Sequence, residues 1–134
     1  MSNFNFSQDY GIVSKSKSPS RNMVVYFGKT HKDYSVNPKG AQKQEKSALI
    51  DMIDRLGQNE YSHWMGVGKT SGGGELIPVN QLKRKLPEWV TDDVEKVAVF
   101  RFKGNKCRII GIYDSTDNVF DVIFVDYKLK LYNH

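Results

Sequence analysis

Four cations bracket a single turn signal. Arg101, Lys103, Lys106 and Arg108 flank Gly104-Asn105. If that pair is a two-residue hairpin loop, Lys103 faces Lys106 and Arg101 faces Arg108 across an antiparallel ladder. Directly opposed residues share a face of the sheet, where like charges repel. A phosphate backbone placed against them would relieve that repulsion, and a solvated rim of charge would tolerate it. Carrying the register through the next turn, with Tyr113 opposite Val119, sets Asp126 opposite Lys106 and neutralises part of the cluster.

The end of the chain supplies a second set of reactive groups. From Tyr127 to His134 the residues alternate, Leu129 and Leu131 on one side, Lys128, Lys130 and Tyr132 on the other. The spacing predicts an amphipathic edge strand with a basic, aromatic outer face. Tyr132 and His134 can stack on bases or move protons near neutral pH. Lysines on an edge strand serve equally as a guard against aggregation. Lys83-Arg84-Lys85 is a third basic group, suited to phosphate or to a solvated loop.

Other chemistry has little support. Gly68-Lys69-Thr70 lacks the glycine five residues earlier that a phosphate loop needs, since His63 stands there, and Ser71-Gly72-Gly73-Gly74 replaces the following helix. A glycine loop closing over a polyanion stays open as an alternative. His31, His63 and His134 share no ligand spacing, so no metal or other cofactor is expected. Cys107, mid-strand, reads as a small core residue.

These groups need elements to hold them. Val97–Lys103, Lys106–Tyr113 and Val119–Tyr127 read as a three-stranded meander. In its last strand Phe120, Val122 and Phe124 point one way and Val119, Ile123 and Val125 the other, so both faces are covered. Asn37-Pro38 opens a helix over residues 38–56, with Leu49, Met52, Ile53 and Leu56 on one face and Gly57 as a left-handed stop. Met23–Phe27 and Glu75–Asn80 are short strands. Residues 60–67 are ambiguous, and residues 66–74, with five of the chain's eleven glycines, are a flexible loop. Residues 1–22, rich in Ser, Asn and Lys, are a mobile basic arm ahead of a single domain over 23–134. The sum is an α+β domain: an antiparallel sheet of three to five strands, including the C-terminal meander, packed on one main helix.

The 134 residues suffice for one compact core. One cysteine excludes an internal disulfide framework. No apolar run approaches the ~18 residues of a membrane span, and the start lacks a signal pattern, so a cytoplasmic protein without a membrane partner is expected. Twenty Lys and Arg against fifteen Asp and Glu give +5, distributed as +5 over residues 1–50, −3 over 51–95 and +3 over 96–134. Folding that brings the two basic ends together would build a local field suited to an anionic partner.

The C-terminal third resembles the RelE/HigB-type toxins of bacterial toxin–antitoxin systems. The resemblance rests on Phe100-Arg101-Phe102, Cys107-Arg108-Ile109-Ile110-Gly111-Ile112, the apolar run Val119–Val125, and Lys130-Leu131-Tyr132-Asn133-His134. It implies a RelE-like fold, a protein antitoxin as partner, and metal-independent cleavage of RNA, on the ribosome in many members. The RNA 2′-OH would attack the adjacent phosphate. Arg108 and Arg101 would stabilise the phosphorane, and His134 would transfer a proton, with Tyr132 stacking or sharing that transfer. Lys83, Arg84, Lys85, Lys103, Lys106, Lys128 and Lys130 would hold the RNA. The same cations serve a non-enzymatic binder of nucleic acid or of an acidic protein.

Overall fold

The computed structural model describes Gly11 and residues 21–133. Most of the N-terminal arm, and His134, therefore lie outside the described residues. Five strands, β1 (Val24–Tyr26), β2 (Gly74–Pro78), β3 (Lys96–Phe102), β4 (Cys107–Asp114) and β5 (Val119–Asp126), form one sheet in the order β1-β5-β4-β3-β2. Two helices, α1 (Lys43–Leu56) and α2 (Tyr61–Gly66), complete the α+β architecture.

The meander forms where β-branched and aromatic residues run together, and its first hairpin keeps the expected register, with Arg101 opposite Arg108. Lys103–Lys106 turn between the strands, with Lys103 at φ 52° and Gly104 at φ 66°. The second hairpin departs from expectation. Tyr113 pairs with Phe120, and a bulge beside Ile110 and Gly111 shifts the ladder, so that Asp126 lies opposite Arg108 instead of Lys106. The extra residue is on β5. Ile110 pairs with Phe124 and Gly111 with Val122, leaving Ile123 unpaired. One inserted residue reverses which face the following side chains meet. Val122 and Val125 therefore pack on the helix side, and Ile123 and Phe124 on the other, correcting the simple alternation. Gly111 is required at this point, because a Cβ would run into the Asp121 carbonyl oxygen.

The sheet is mixed, not purely antiparallel. β1 runs parallel to β5, with Val24 beside Val119 and Tyr26 beside Asp121. The chain then continues along β5, where His31 N–H donates to Ile123 O at 2.7 Å and Val125 N–H donates to Tyr34 O at 2.6 Å.

Leu49, Met52 and Leu56 of α1 pack with Phe100, Ile109 and Phe120, and the two phenyl rings meet edge to face at 5.3 Å. Burying each such side chain stabilises the fold by about 1.5–3 kcal/mol. α1 begins later than Asn37-Pro38 suggests, because Gly40 takes φ 91° and turns the chain. Gln42 N–H donates to Glu45 Oε1 at 2.9 Å and starts the helix, while Asn37 Oδ1 accepts from Lys46 Nζ. Gly57 ends it in a right-handed conformation, φ −71°. The ambiguous segment is helix α2, whose Trp64 indole donates to Leu56 O at 2.9 Å and locks the two helices together.

The tail is not an edge strand. The Asp126 carboxylate accepts from the backbone N–H groups of Lys128, Lys130 and Leu131 at 3.2, 2.8 and 3.0 Å. Leu129 takes φ 57° within this wrap. A buried aspartate offering acceptors to the chain just after it outcompetes a ladder. Leu131 and Tyr132 fold under the sheet into the second core with Val97, Val99 and Ile110.

Candidate nucleic-acid interface

Strand register sorts the charges. The β3–β4 turn and the chain leaving β5 lie at one end of the sheet, the β4–β5 turn at the other. The first end carries Lys103, Lys106, Lys128 and Lys130, of which all but the half-buried Lys103 are exposed. At the second, Asp114, Asp117 and Asp121 line one hollow with Lys29. Cations outnumber carboxylates at the first end, and acids outnumber cations in the hollow at the second, which raises the local field beyond what the net charge suggests.

Two hollows open at the basic end. The larger, about 390 Å³, lies between α1, the turn at Lys69–Ser71 and the β3–β4 hairpin, and Arg55, Lys69, Thr70, Arg101 and Lys103 line it beside Asp51. Lys69 and Arg101 share one carboxylate, Glu75, at 3.2 and 3.7 Å. Arg101 Nη1 donates to Asn105 Oδ1 at 2.9 Å, and its buried Nε has no hydrogen-bond partner. Arg55 donates to Gly72 O at 2.8 Å and stacks over the Trp64 ring at 4.8 Å. Burial pulls its guanidinium below the ordinary value. Gly72 permits that approach: it sits at φ 96°, and a Cβ there would come within 2.8 Å of Arg55 Nη1. The glycine loop contains a short helical turn at Lys69–Ser71 and is tied to α1 through Arg55.

The smaller hollow, about 160 Å³, is lined by Lys39, Arg84, Lys128 and Lys130 together with Tyr34, Asp33 and Asp126. Arg84 lies over the Tyr34 ring at 5.4 Å. Lys83 N–H donates to Leu131 O at 2.7 Å, which brings the basic triplet Lys83–Lys85 against the tail, with all three side chains exposed. Glu45 links the two hollows. Its carboxylate accepts from Lys128 Nζ at 3.1 Å. Burial would raise this carboxyl, but the Gln42 N–H, Lys128 and, further off, Lys103 outweigh it and hold it below its usual range.

Arg108 and Tyr132, two residues proposed above for catalysis, do come together, but inside the protein. They are 3% and 6% exposed, and Arg108 Nε donates to the Tyr132 hydroxyl at 3.1 Å. Arg108 Nη1 donates to Asn105 O at 2.8 Å and Cys107 O at 3.1 Å. Arg101 lies in the larger hollow, and Lys103 is the residue that joins it to the tail. No imidazole among the described residues lines either hollow. Cys107 is buried, its thiol pushed up by burial and bonded to Tyr127 O, as a core residue would be.

Arg55, Lys69 and Lys39 were not legible as site residues. Arg55 occupies the flank of a helix, and Lys69 belongs to a phosphate-loop fragment that fails its motif. Only the folded position of the glycine turn reveals them. No protein-family model, curated protein or solved structure matches the chain. The resemblance to RelE/HigB toxins therefore rests on the C-terminal residues alone.

Proposed function

We propose that the protein binds single-stranded RNA through its sugar–phosphate backbone, at the basic end of the sheet. The observation that carries this reading is the gathering of Lys103, Lys106, Lys128 and Lys130 beside two cation-lined hollows, with the acidic cluster at the opposite end. Ammonium and guanidinium groups attract a phosphate chain without reading its sequence. Small hollows lined by single side chains suit a flexible strand better than a rigid duplex.

Binding is favoured over cleavage by the burial of Arg108 and Tyr132, which serve the core. The test is fluorescence anisotropy with a 3′-labelled single-stranded RNA in EDTA, with the RNA recovered and sized afterwards. Salt-dependent binding with intact RNA is expected. Cleavage that disappears in a folded Arg108→Ala variant would restore the endoribonuclease reading, and absence of binding would end the RNA reading.

A further inference from the structure

The larger hollow differs from the rest of the basic end in its balance of charge. Arg55, Lys69, Arg101 and Lys103 line or enter it, against Asp51 on its wall and Glu75 behind it. Four cations and two carboxylates leave a surplus of two positive charges. The pairing is also incomplete. Arg55 has a carbonyl and an aromatic ring for partners but no carboxylate. Arg101 shares Glu75 with Lys69, so two cations divide one carboxylate. Cations held this way are under-neutralised, and a dianion would balance the surplus.

We infer that this hollow receives a phosphomonoester, the 5′-phosphate at the end of an RNA strand. A phosphomonoester carries close to two negative charges at neutral pH, whereas an internal phosphodiester carries one. The hollow's size, about 390 Å³, falls at the lower end of the roughly 300–1,000 Å³ range of small-molecule sites and accommodates one terminal nucleotide. Exposed Thr70 adds a hydroxyl donor on its rim. Lys103 belongs both to the hollow and to the turn facing Glu45 and Lys128, so a strand anchored by its end continues along the tail lysines. The Gly72 carbonyl accepts from Arg55, which ties the turn to α1 on the hollow's wall.

This inference rests on the RNA-binding reading, and the experiment separates the two. Two 3′-labelled RNAs of one sequence, ending in 5′-phosphate or 5′-hydroxyl, are compared by anisotropy at fixed salt. The phosphorylated strand should bind about tenfold tighter, the ratio expected for one additional charge-assisted contact. Lys69→Ala, at an exposed position, should reduce that ratio toward one, weakening the phosphorylated strand more than the 5′-hydroxyl strand. Asp51→Asn should increase it, because an anion leaves the wall. A nucleoside monophosphate should compete only at far higher concentration, since it lacks the backbone contacts. Equal binding of the two strands would overturn the strand-end site and leave general RNA binding standing, and binding of neither would remove both. A monophosphate competing as well as the strand would overturn the strand-end assignment.

Discussion

Replacing Arg108 with alanine should damage stability far more than RNA affinity. The side chain is 3% exposed and donates to the Tyr132 hydroxyl, Asn105 O and Cys107 O. Asn105 is exposed, so water can replace the guanidinium there. Cys107 O and the Tyr132 hydroxyl are interior, and each loses a bond from a charged donor, worth about 1.5–3 kcal/mol. Asp126, opposite Arg108 in the ladder, also loses a neighbouring positive charge. The expected loss is about 3–5 kcal/mol, the scale found when one partner of a buried charged network is removed. That is a large share of the roughly 5–15 kcal/mol typical of a domain. Tyr132→Phe removes a hydroxyl that accepts from the buried guanidinium and should cost about 1.5–3 kcal/mol. The assay is urea unfolding followed by the fluorescence of buried Trp64, with the double variant closing a cycle that isolates the Arg108–Tyr132 coupling. An Arg108→Ala protein within 1 kcal/mol of the parent, yet deficient toward RNA, would refute the structural role given to this residue.

Two further perturbations test the site and the core independently. Gly72→Ala places a Cβ at φ 96° and 2.8 Å from Arg55 Nη1; it should cost roughly 1–2 kcal/mol from backbone strain alone, lower Tm by several degrees and weaken the preference for 5′-phosphate. Tyr127 donates to Val36 O at 2.6 Å, and burial pushes its hydroxyl from 10.0 up to about 12. The folded protein therefore holds a proton that the unfolded chain releases over that window. Stability should be intact below pH 10 and fall as pH rises toward 12, by roughly 1.4 kcal/mol per unit for this one group. Tyr61, raised by burial and by Tyr113, adds with the same sign. Tyr127→Phe should flatten the slope in alkaline denaturation, and an unchanged slope would remove Tyr127 as its source.

The readable parts of the fold were those fixed by local pattern. The β3–β4 hairpin follows from Gly104-Asn105 between β-prone runs, and its Arg101–Arg108 register holds. The face of α1 follows from the spacing of Leu49, Met52 and Leu56. What escaped depends on contacts distant in sequence. The bulge at Ile123 has no local signature, yet it decides that Asp126 meets Arg108. Alternation in the tail mimics a strand, because a buried aspartate gathering three backbone N–H groups leaves no trace in hydropathy. β1 pairs in parallel across most of the chain, a contact that three residues cannot announce. The basic end was half legible: Lys103, Lys106, Lys128 and Lys130 were in view, whereas Arg55 and Lys69 reach it only once the Gly72 turn has closed on α1.

The central claim, that cations collected at one end of the sheet hold an RNA backbone, is tested most directly by the salt dependence of binding. The logarithm of the association constant for single-stranded RNA should fall linearly with the logarithm of salt concentration, with a slope of about −0.7 for each phosphate engaged. Lys103→Ala and Lys128→Ala should each make that slope shallower by about 0.7, while Lys29→Ala, beside the acidic hollow, should leave it unchanged. Equal effects at both ends, or affinity indifferent to salt, would contradict the account.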